Sequence, residues 1–419
     1  MDSETKAVSP AASEPVGYGR DFKLYIAGRA VSVVGDRIAL IALVFLIIHL
    51  SGSFALALAL FYVVRMLPQI VGMAFVGVLV DHFDRRKLLI ISDLSRLIVV
   101  GAIPVLTALS LWDIYPLVVI LYAFNMVFDS ASGAMVPDIV PKDRLTGANS
   151  IRQSIQGAAD LGYAAGGALI FTLGYQLPFY IDAATFLISA ALIFEMVIPR
   201  PKTGPMPNMA GVLREVVDGA RVLLSIPFLK WTSIAFLLAP LGGGLQFVLM
   251  PLYAQSSLAH SAGLFGPLHG GAFRFGVTEV FLGMGALLGA YLTPKLAKRF
   301  PRGALFGLGL LLMAAPLFAL GFTQNIYVAV VVMIITGIGN NMWVICGMTL
   351  AGILVPSELR GRVMGARVTG VNLGLAVGSA IGGAMLLVVP YRDAWFIIGA
   401  LIGVSSLFVF LPQSVRSQR

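Results

Sequence analysis

The sequence predicts an all-α integral membrane protein whose twelve transmembrane helices form two parallel repeats of six. Three observations predict it. Apolar residues make up 58% of the 419 and charged residues 12%, against roughly 25% charged in a soluble domain. Apolar runs of about 20 residues, the length a helix needs to cross a ~30 Å hydrocarbon core, recur along the whole chain. Basic residues gather in alternate connections between those runs. Together these exclude an ordinary soluble enzyme. The net charge of +9 reads as membrane topology, since a nucleic-acid surface needs a basic patch on a soluble face. A single cysteine, Cys346, excludes a disulfide framework, and histidines at 49, 82, 260 and 269 offer no zinc spacing.

A polar Ser/Pro/Ala-rich lead, residues 1–20, carries both charge signs and lacks the short apolar core of a signal peptide, so it reads as a disordered cytoplasmic tail. Apolar segments follow at 22–50, 54–80, 88–110, 114–136, 147–173 and 178–199, forming an N-terminal bundle over 21–199. Six more, at 229–257, 275–296, 303–322, 326–354, 363–389 and 392–412, form a C-terminal bundle over 228–412, and residues 413–419 close the chain as a second cytoplasmic tail. Only helices and closed barrels span lipid, and these runs are about twice the length of a barrel strand. The linker at 200–227 opens with Pro201, Pro205 and Pro207. It then sets Val212, Leu213, Val216 and Val217 against Arg214, Glu215, Asp218 and Arg221, predicting an amphipathic helix on the cytoplasmic membrane surface.

With these spans, 21 Lys and Arg fall in loops on one side and two, Arg274 and Arg392, on the other. The positive-inside rule then places both termini in the cytoplasm of a multi-pass protein of the cell membrane. Arg29, Arg37, Arg65, Arg96, Arg152 and Arg367 lie within the apolar segments.

Three landmarks repeat across the linker. Gly77, before the basic loop after the second segment, answers to Gly289 ahead of the basic loop after the eighth. Gly162, Gly166 and Gly167 in the fifth segment answer to Gly378, Gly382 and Gly383 in the eleventh. Pro178 and Asp182, opening the sixth, answer to Pro390 and Asp393, opening the twelfth. The offset between partners is nearly constant, which predicts parallel repeats with a binding site between them.

The sharpest motif is Gly77-Val-Leu-Val-Asp81-His82-Phe83-Asp84-Arg85-Arg86-Lys87. Here the sequence resembles the major facilitator superfamily, whose signature in this loop reads Gly-x-Leu-Ala-Asp-Arg-x-Gly-Arg-Arg/Lys. Gly77, Leu79, Asp81, Arg85 and Arg86 match; His82 and Asp84 depart from it. The variant is similar to the branch of drug and macrolide exporters. Val31 to Asp36, Leu145 to Ser150 and Leu359 to Val363 extend the resemblance over most of the chain. It implies the major facilitator fold, a monomer, and a contact of Asp81 with the start of the eleventh helix near Gly361 and Arg362 that latches an outward-facing state. Physically, Asp81 can accept backbone N–H groups at a helix start, and Arg85 and Arg86 can hold carboxylates by forked bonds. The other reading of Arg85, Arg86 and Lys87 is as topology anchors alone.

Charged groups within a bilayer cost about 2.5 to 3.5 kcal/mol each, which makes them functional candidates. Arg29, Ser32 and Asp36 share one face of the first segment. Tyr122, Asn125, Asp129 and Ser132 form a stripe on the fourth, and Asn149, Arg152, Gln153, Gln156 and Asp160 one on the fifth. Tyr62, Arg65 and Gln69 lie on the second. These faces predict a water-accessible cavity in the N-terminal half. The C-terminal half offers Gln246, Tyr253, Glu279, Asn340, Asn341, Trp343 and Arg367 in an apolar setting, predicting that it supplies shape and apolar contact to a cargo.

A partly buried carboxylate facing a competing cation can couple transport to protons. Asp36, Asp129 and Asp160 are the candidates, with Arg152 or Arg29 as the cation. The alternative for each is a static pair, Arg29 with Asp36 or Arg152 with Asp129, that only fixes helix packing. Asp93 with Arg96, Asp182 and Asp393 read as structural. The glycines from Gly157 to Gly167 resemble the antiporter motif of the superfamily's exporters, with Tyr163 in place of its proline; they also serve simply as a packing surface between the fifth and eighth helices.

No P-loop, Gly-x-Ser-x-Gly or His-Glu-x-x-His occurs. Gly283-Met-Gly285 lies inside an apolar segment, where packing explains it. The expected protein is therefore no enzyme, with no cofactor, metal or nucleic-acid partner. It is a secondary exporter of amphipathic, drug-like or macrolide-like molecules by proton antiport and alternating access. The alternatives are export of a siderophore, another metabolite or a lysolipid, or a non-coupled facilitator or sensor.

Overall fold

The computed structural model describes residues 18–52, 54–106, 110–198, 221, 225, 227–258 and 270–411. The predicted surface helix of the linker, the C-terminal tail and nearly all of the N-terminal tail lie outside the described residues. Within them the chain is helical, without strands. The first half contains α1 (Arg20–Leu50), α2 (Ala55–His82), α3 (Arg85–Leu106), α4 (Ile114–Ile139), α5 (Leu145–Ala159), α6 (Leu161–Leu173) and α7 (Gln176–Phe194). The second contains α8 (Pro227–Ser256), α9 (Gly271–Leu296), α10 (Arg302–Ala319), α11 (Ile326–Leu354), α12 (Ser357–Met385) and α13 (Tyr391–Phe410). Eleven of these, all but α5 and α6, are long and apolar enough to cross a membrane.

The predicted fifth span is thus broken at Asp160. The Asp160 amide bonds the Gly157 carbonyl at 3.4 Å and its carbonyl accepts from Tyr163 at 3.1 Å, a local tightening to i, i+3 geometry. Its side chain is drawn aside by Arg37 of α1. Other ends move for local reasons. α7 begins at Gln176, so Pro178 lies in the first turn, where its missing N–H costs nothing, and Asp182 sits well inside the helix. α9 begins at Gly271, so Arg274 is no loop residue. It is buried and donates to the Ala254 carbonyl at 2.8 Å across the α8 end. Asp84, which departs from the loop signature, accepts the Arg86 and Lys87 amides at 3.0 and 3.3 Å and so caps the start of α3.

Glycines show the repeat in three dimensions. Gly162 and Gly166 of α6 lie against Val34 and Ile38 of α1, and Gly167 lies against Ala272 and Phe273 of α9. At the matching positions of the second half, Gly378 and Gly382 of α12 lie against Leu241 and Leu245 of α8, and Gly383 against Ala59 and Leu56 of α2. The partners correspond as well, Val34 to Leu241 and Ile38 to Leu245, at one shared offset. Each half therefore uses one glycine pair to build its own bundle and a third glycine to meet the other half. Backbone approach of this kind is what joins helices in lipid, where apolar burial against a neighbour gains little over burial against acyl chains.

The halves meet at the end opposite the basic loops. Phe45 of α1 faces Phe275 of α9 at 6.0 Å, and Tyr62 of α2 stacks on Phe247 of α8 at 5.2 Å. At the basic end, Gly77, Gly352 and Gly365 have no neighbouring atom where a Cβ would stand. The interior is closed at one end and parted at the basic one.

Candidate functional site

Two cavities lie between the halves and meet at Gln69, which lines both. The first, about 180 Å³, belongs to the N-terminal half and is lined by Arg29, Asp36, Arg37, Arg65, Asn125, Asp129, Gln156 and Asp182. The second, about 490 Å³, belongs to the C-terminal half; Phe236, Pro240, Phe247, Met313, Trp343 and Met348 line it, with Gln246, Asn340, Asn372 and Arg367 as its polar members. The sequence expectation of a charged half and an apolar half is the observed distribution.

The linings correspond position by position. Arg29, Val33, Asp36, Ala39 and Leu40, on the α1 side of the first cavity, recur at one constant offset in α8 as Phe236, Pro240, Gly243, Gln246 and Phe247 of the second. Leu121, Asn125 and Asp129 of α4 likewise recur in α11 as Thr336, Asn340 and Val344. The backbone repeats and the charge does not.

Arg29 donates to Asp129 across α1 and α4 at 2.8 Å, and its guanidinium lies 5.4 Å from the Phe128 ring. Arg37 donates through Nε to Asp160 at 3.0 Å and lies 5.1 Å from the Tyr163 ring. Both pairings differ from those expected. Arg29 does not pair with Asp36 on its own face, because α4 brings Asp129 within its reach. Arg152 makes no ion pair among the described residues; α1, pressed along α6 through Gly162 and Gly166, supplies Arg37 to the break instead. Asp36 is left with no ion pair within 4 Å among the described residues, in the same cavity as Asp182. Asp182 packs on Gly35 and accepts from Thr185 at 3.2 Å.

Below this cavity Asp93 and Arg96 of α3 form a fully buried ion pair. Arg96 also donates to Asn125 at 2.6 Å and sits 4.4 and 4.3 Å from the Phe128 and Phe186 rings. Asp93 and Arg96 are thus paired with each other, as the sequence groups them. Arg65 stacks 4.8 Å from Tyr122.

Four expected cavity residues, Tyr253, Asn341, Tyr62 and Glu279, line neither cavity. Tyr253 is buried near the closed end, where its hydroxyl bonds the Thr323 carbonyl and its ring meets Trp395. Asn341 donates to the Ala286 carbonyl at 2.6 Å and ties α11 to α9. Tyr62 is buried in the stack with Phe247. Gln246, Asn340 and Trp343 line the cavity as expected. Arg37 and Asp182 are site residues that the sequence reading did not select. Arg37 was legible only as one of six arginines inside apolar segments, and Asp182 was masked by its apparent place at a helix start.

In the basic loop, Arg85 pairs with Asp138 of α4 and donates to the Ala134 carbonyl at 3.1 Å. Arg86 donates to the Phe194 and Ile193 carbonyls at the end of α7. Both arginines therefore act within the N-terminal half. Asp81 is exposed and Gly77 meets nothing. The side chains of Gly361 and Arg362 lie outside the described residues.

A helical membrane protein with a repeated bundle, a central cavity reached from one end, and charges held inside the membrane is a carrier of small molecules. The sequence profile of the Major Facilitator Superfamily matches residues 26–302 and 275–419, and the chain belongs to that family. It is 28% identical over 312 residues to macrolide efflux protein A of Streptococcus pyogenes, covering 72% of this chain and 71% of that one. It is 25% identical over 403 residues to the multidrug efflux pump Tap of Mycolicibacterium fortuitum, covering 90% and 92%. A mutant of the nucleoside transporter NupG has the same fold, with a TM-score of 0.75 at 14% identity over 94% of this chain and 99% of that one. The protein is a multi-pass membrane transporter and no enzyme.

Proposed function

We propose that this transporter exports amphipathic organic molecules, drug-like or macrolide-like, in exchange for protons. The observation that carries the reading is the join at Gln69 between an apolar cavity of about 490 Å³ and a charged one. An apolar cargo body fits the first, and a polar or cationic group on it reaches Asp36 and Asp129 in the second. Among the described residues no arginine is bonded to Asp36, so a proton and a cationic cargo group can compete for it. Its relatives' efflux activity points the same way.

By the positive-inside rule the basic end is cytoplasmic, so the parted end is the side from which cargo enters. Rocking of the two bundles then opens the α6–α9 and α2–α12 contacts and closes the basic end, where Asp81 meets the start of α12 and acts as the latch. One chain encloses the whole cavity, and it works as a monomer.

The test is counterflow in proteoliposomes loaded with a macrolide or a lipophilic cation. An imposed pH difference is expected to drive accumulation, and Asp36→Asn to leave equilibration without accumulation. Uptake indifferent to the pH difference removes the antiport reading.

A further inference from the structure

α9 crosses the seam between the halves along a single stripe. Ala272 and Phe273 lie against Gly167, Gly276 against the Tyr163 backbone, Gly283 against the Asp160 side chain, and Leu287 against Gly157. Glu279 stands between Gly276 and Gly283 at i+3 and i−4, so it shares their face and points at the break between α5 and α6. It is the acid that the C-terminal half sets within α9, and among the described residues its charged and titratable neighbours come from the other half: Asp160, Arg37, Arg65, Tyr62 and Tyr163. α8 and α11, also packed on α9, bring it no charge, since α11 has no charged residue and the only one in α8 is Lys230, near its basic end. Glu279 makes no ion pair within 4 Å among the described residues, whereas the nearby guanidinium of Arg37 is already bonded to Asp160.

Two carboxylates therefore face Arg37, already bonded to one of them, and Arg65, which is stacked on Tyr122, across a contact so close that it is built from glycine. In a site dry of water, a second unpaired negative charge there is costly, and Coulomb repulsion between carboxylates rises as the local dielectric falls. We propose that Glu279 is the proton-exchanging group of the seal opposite the basic end. Protonated, it lets α9 close on α5 and α6; ionised, it competes with Asp160 for Arg37 and parts the halves. The proton passes between the Glu279 carboxyl and water admitted when the contact opens, and no other bond changes. This deepens the proton-driven reading above and rests on it. It moves one proton-exchanging site from the charged half to the seam, where protonation acts directly on the conformational change.

The test uses the full chain in lipid nanodiscs, with Cys346→Ser as background and spin labels on Leu173→Cys and Val388→Cys, at the closed end of each half. Both positions are exposed, at 60% and 83%. With no cargo and no gradient, the distance between labels is expected to gain a longer component as the pH is raised. Glu279→Gln is expected to lose that component at every pH. Asp160→Asn is the independent arm: with its competitor gone, ionised Glu279 can take Arg37 across the seam, and the longer component is again expected to be lost. A wild-type protein without the transition, or either variant retaining it unchanged, overturns the proposal. Counterflow driven by a pH difference remains a separate readout, so failure of the antiport reading registers there and failure of the Glu279 role registers in the distances.

Discussion

Arg29, Asp36 and Asp129 in the first half and Phe236, Gly243 and Val344 in the second hold matching places around a shared cavity. The same contrast appears where α1 and α8 meet their neighbours: Gly35 of α1 lies against the side chains of Asp182 and Thr185 of α7, and Gly242 of α8 against the side chain of Ile402 of α13. Asn125 and Asn340, by comparison, keep the same side chain. Glycine contacts set the scaffold in both halves, so the cavity's shape depends on features the halves share, while its chemistry depends on residues they do not. Each charge inside a bilayer is costly. Concentrating them in one half lets the arginines and carboxylates offset one another, and leaves the lining of the other half mainly apolar.

The comparison can be broken first at two buried arginines, one in each half. Arg96 is bonded to a carboxylate in full burial, whereas Arg367 donates to the Gly347 carbonyl and the Thr232 hydroxyl, both at 2.8 Å. Arg96→Met strands a buried carboxylate and is expected to lower stability by about 3–5 kcal/mol. Arg367→Met removes a donor from neutral partners and is expected to cost about 1–3 kcal/mol. Thermal unfolding of the two variants in one detergent checks the order, and equal losses would show that the halves do not differ in this respect.

Next in size is the paired change Asp36→Asn with Asp182→Asn. It is expected to reduce pH-driven accumulation by roughly a hundredfold, equivalent to about 2.7 kcal/mol, while cargo still equilibrates. Tryptophan quenching by cargo at Trp343, in the apolar cavity, should be little changed; loss of quenching along with accumulation would mean that the charged half binds cargo as strongly as the apolar one.

Gly378→Val sharpens the shared part of the comparison. A Cβ at Gly378 overlaps the Leu241 backbone, so the variant is expected to lose about 1–3 kcal/mol through overpacking. Gly166→Val, against the Ile38 backbone, is expected to lose a similar amount in the other half, and unfolding measurements that find only one of them damaging would show the repeat to be unequal. The smallest effect belongs to Arg20→Ala. Its pair with Glu195 is exposed at 69% and 60%, so at most about 0.5 kcal/mol is at stake, inside the error of a melting experiment.

The helical class, eleven of the twelve expected membrane spans, the repeat and the split between a charged and an apolar half were legible in the chain. Lipid leaves no alternative to long apolar helices, and glycines that join backbones have to recur where a bundle recurs. Asn125, Asp129, Gln246, Asn340 and Trp343 could be selected because stripes on a single helix follow from its periodicity. Which arginine holds which carboxylate could not, since Arg29 meets Asp129 across 100 residues and Arg37 meets Asp160 across 123. Tyr253 and Asn341 look like cavity residues on a helical wheel, yet they turn to carbonyls of neighbouring helices. The break at Asp160 and the position of Glu279 on the seam also depend on which helices touch. Local sequence determined the helices and their polar faces because each is a short-range matter of burial and periodicity. Tertiary structure decided the ion pairs, the free acids and the seal, because in a membrane interior a charge takes whatever partner the packing brings within reach.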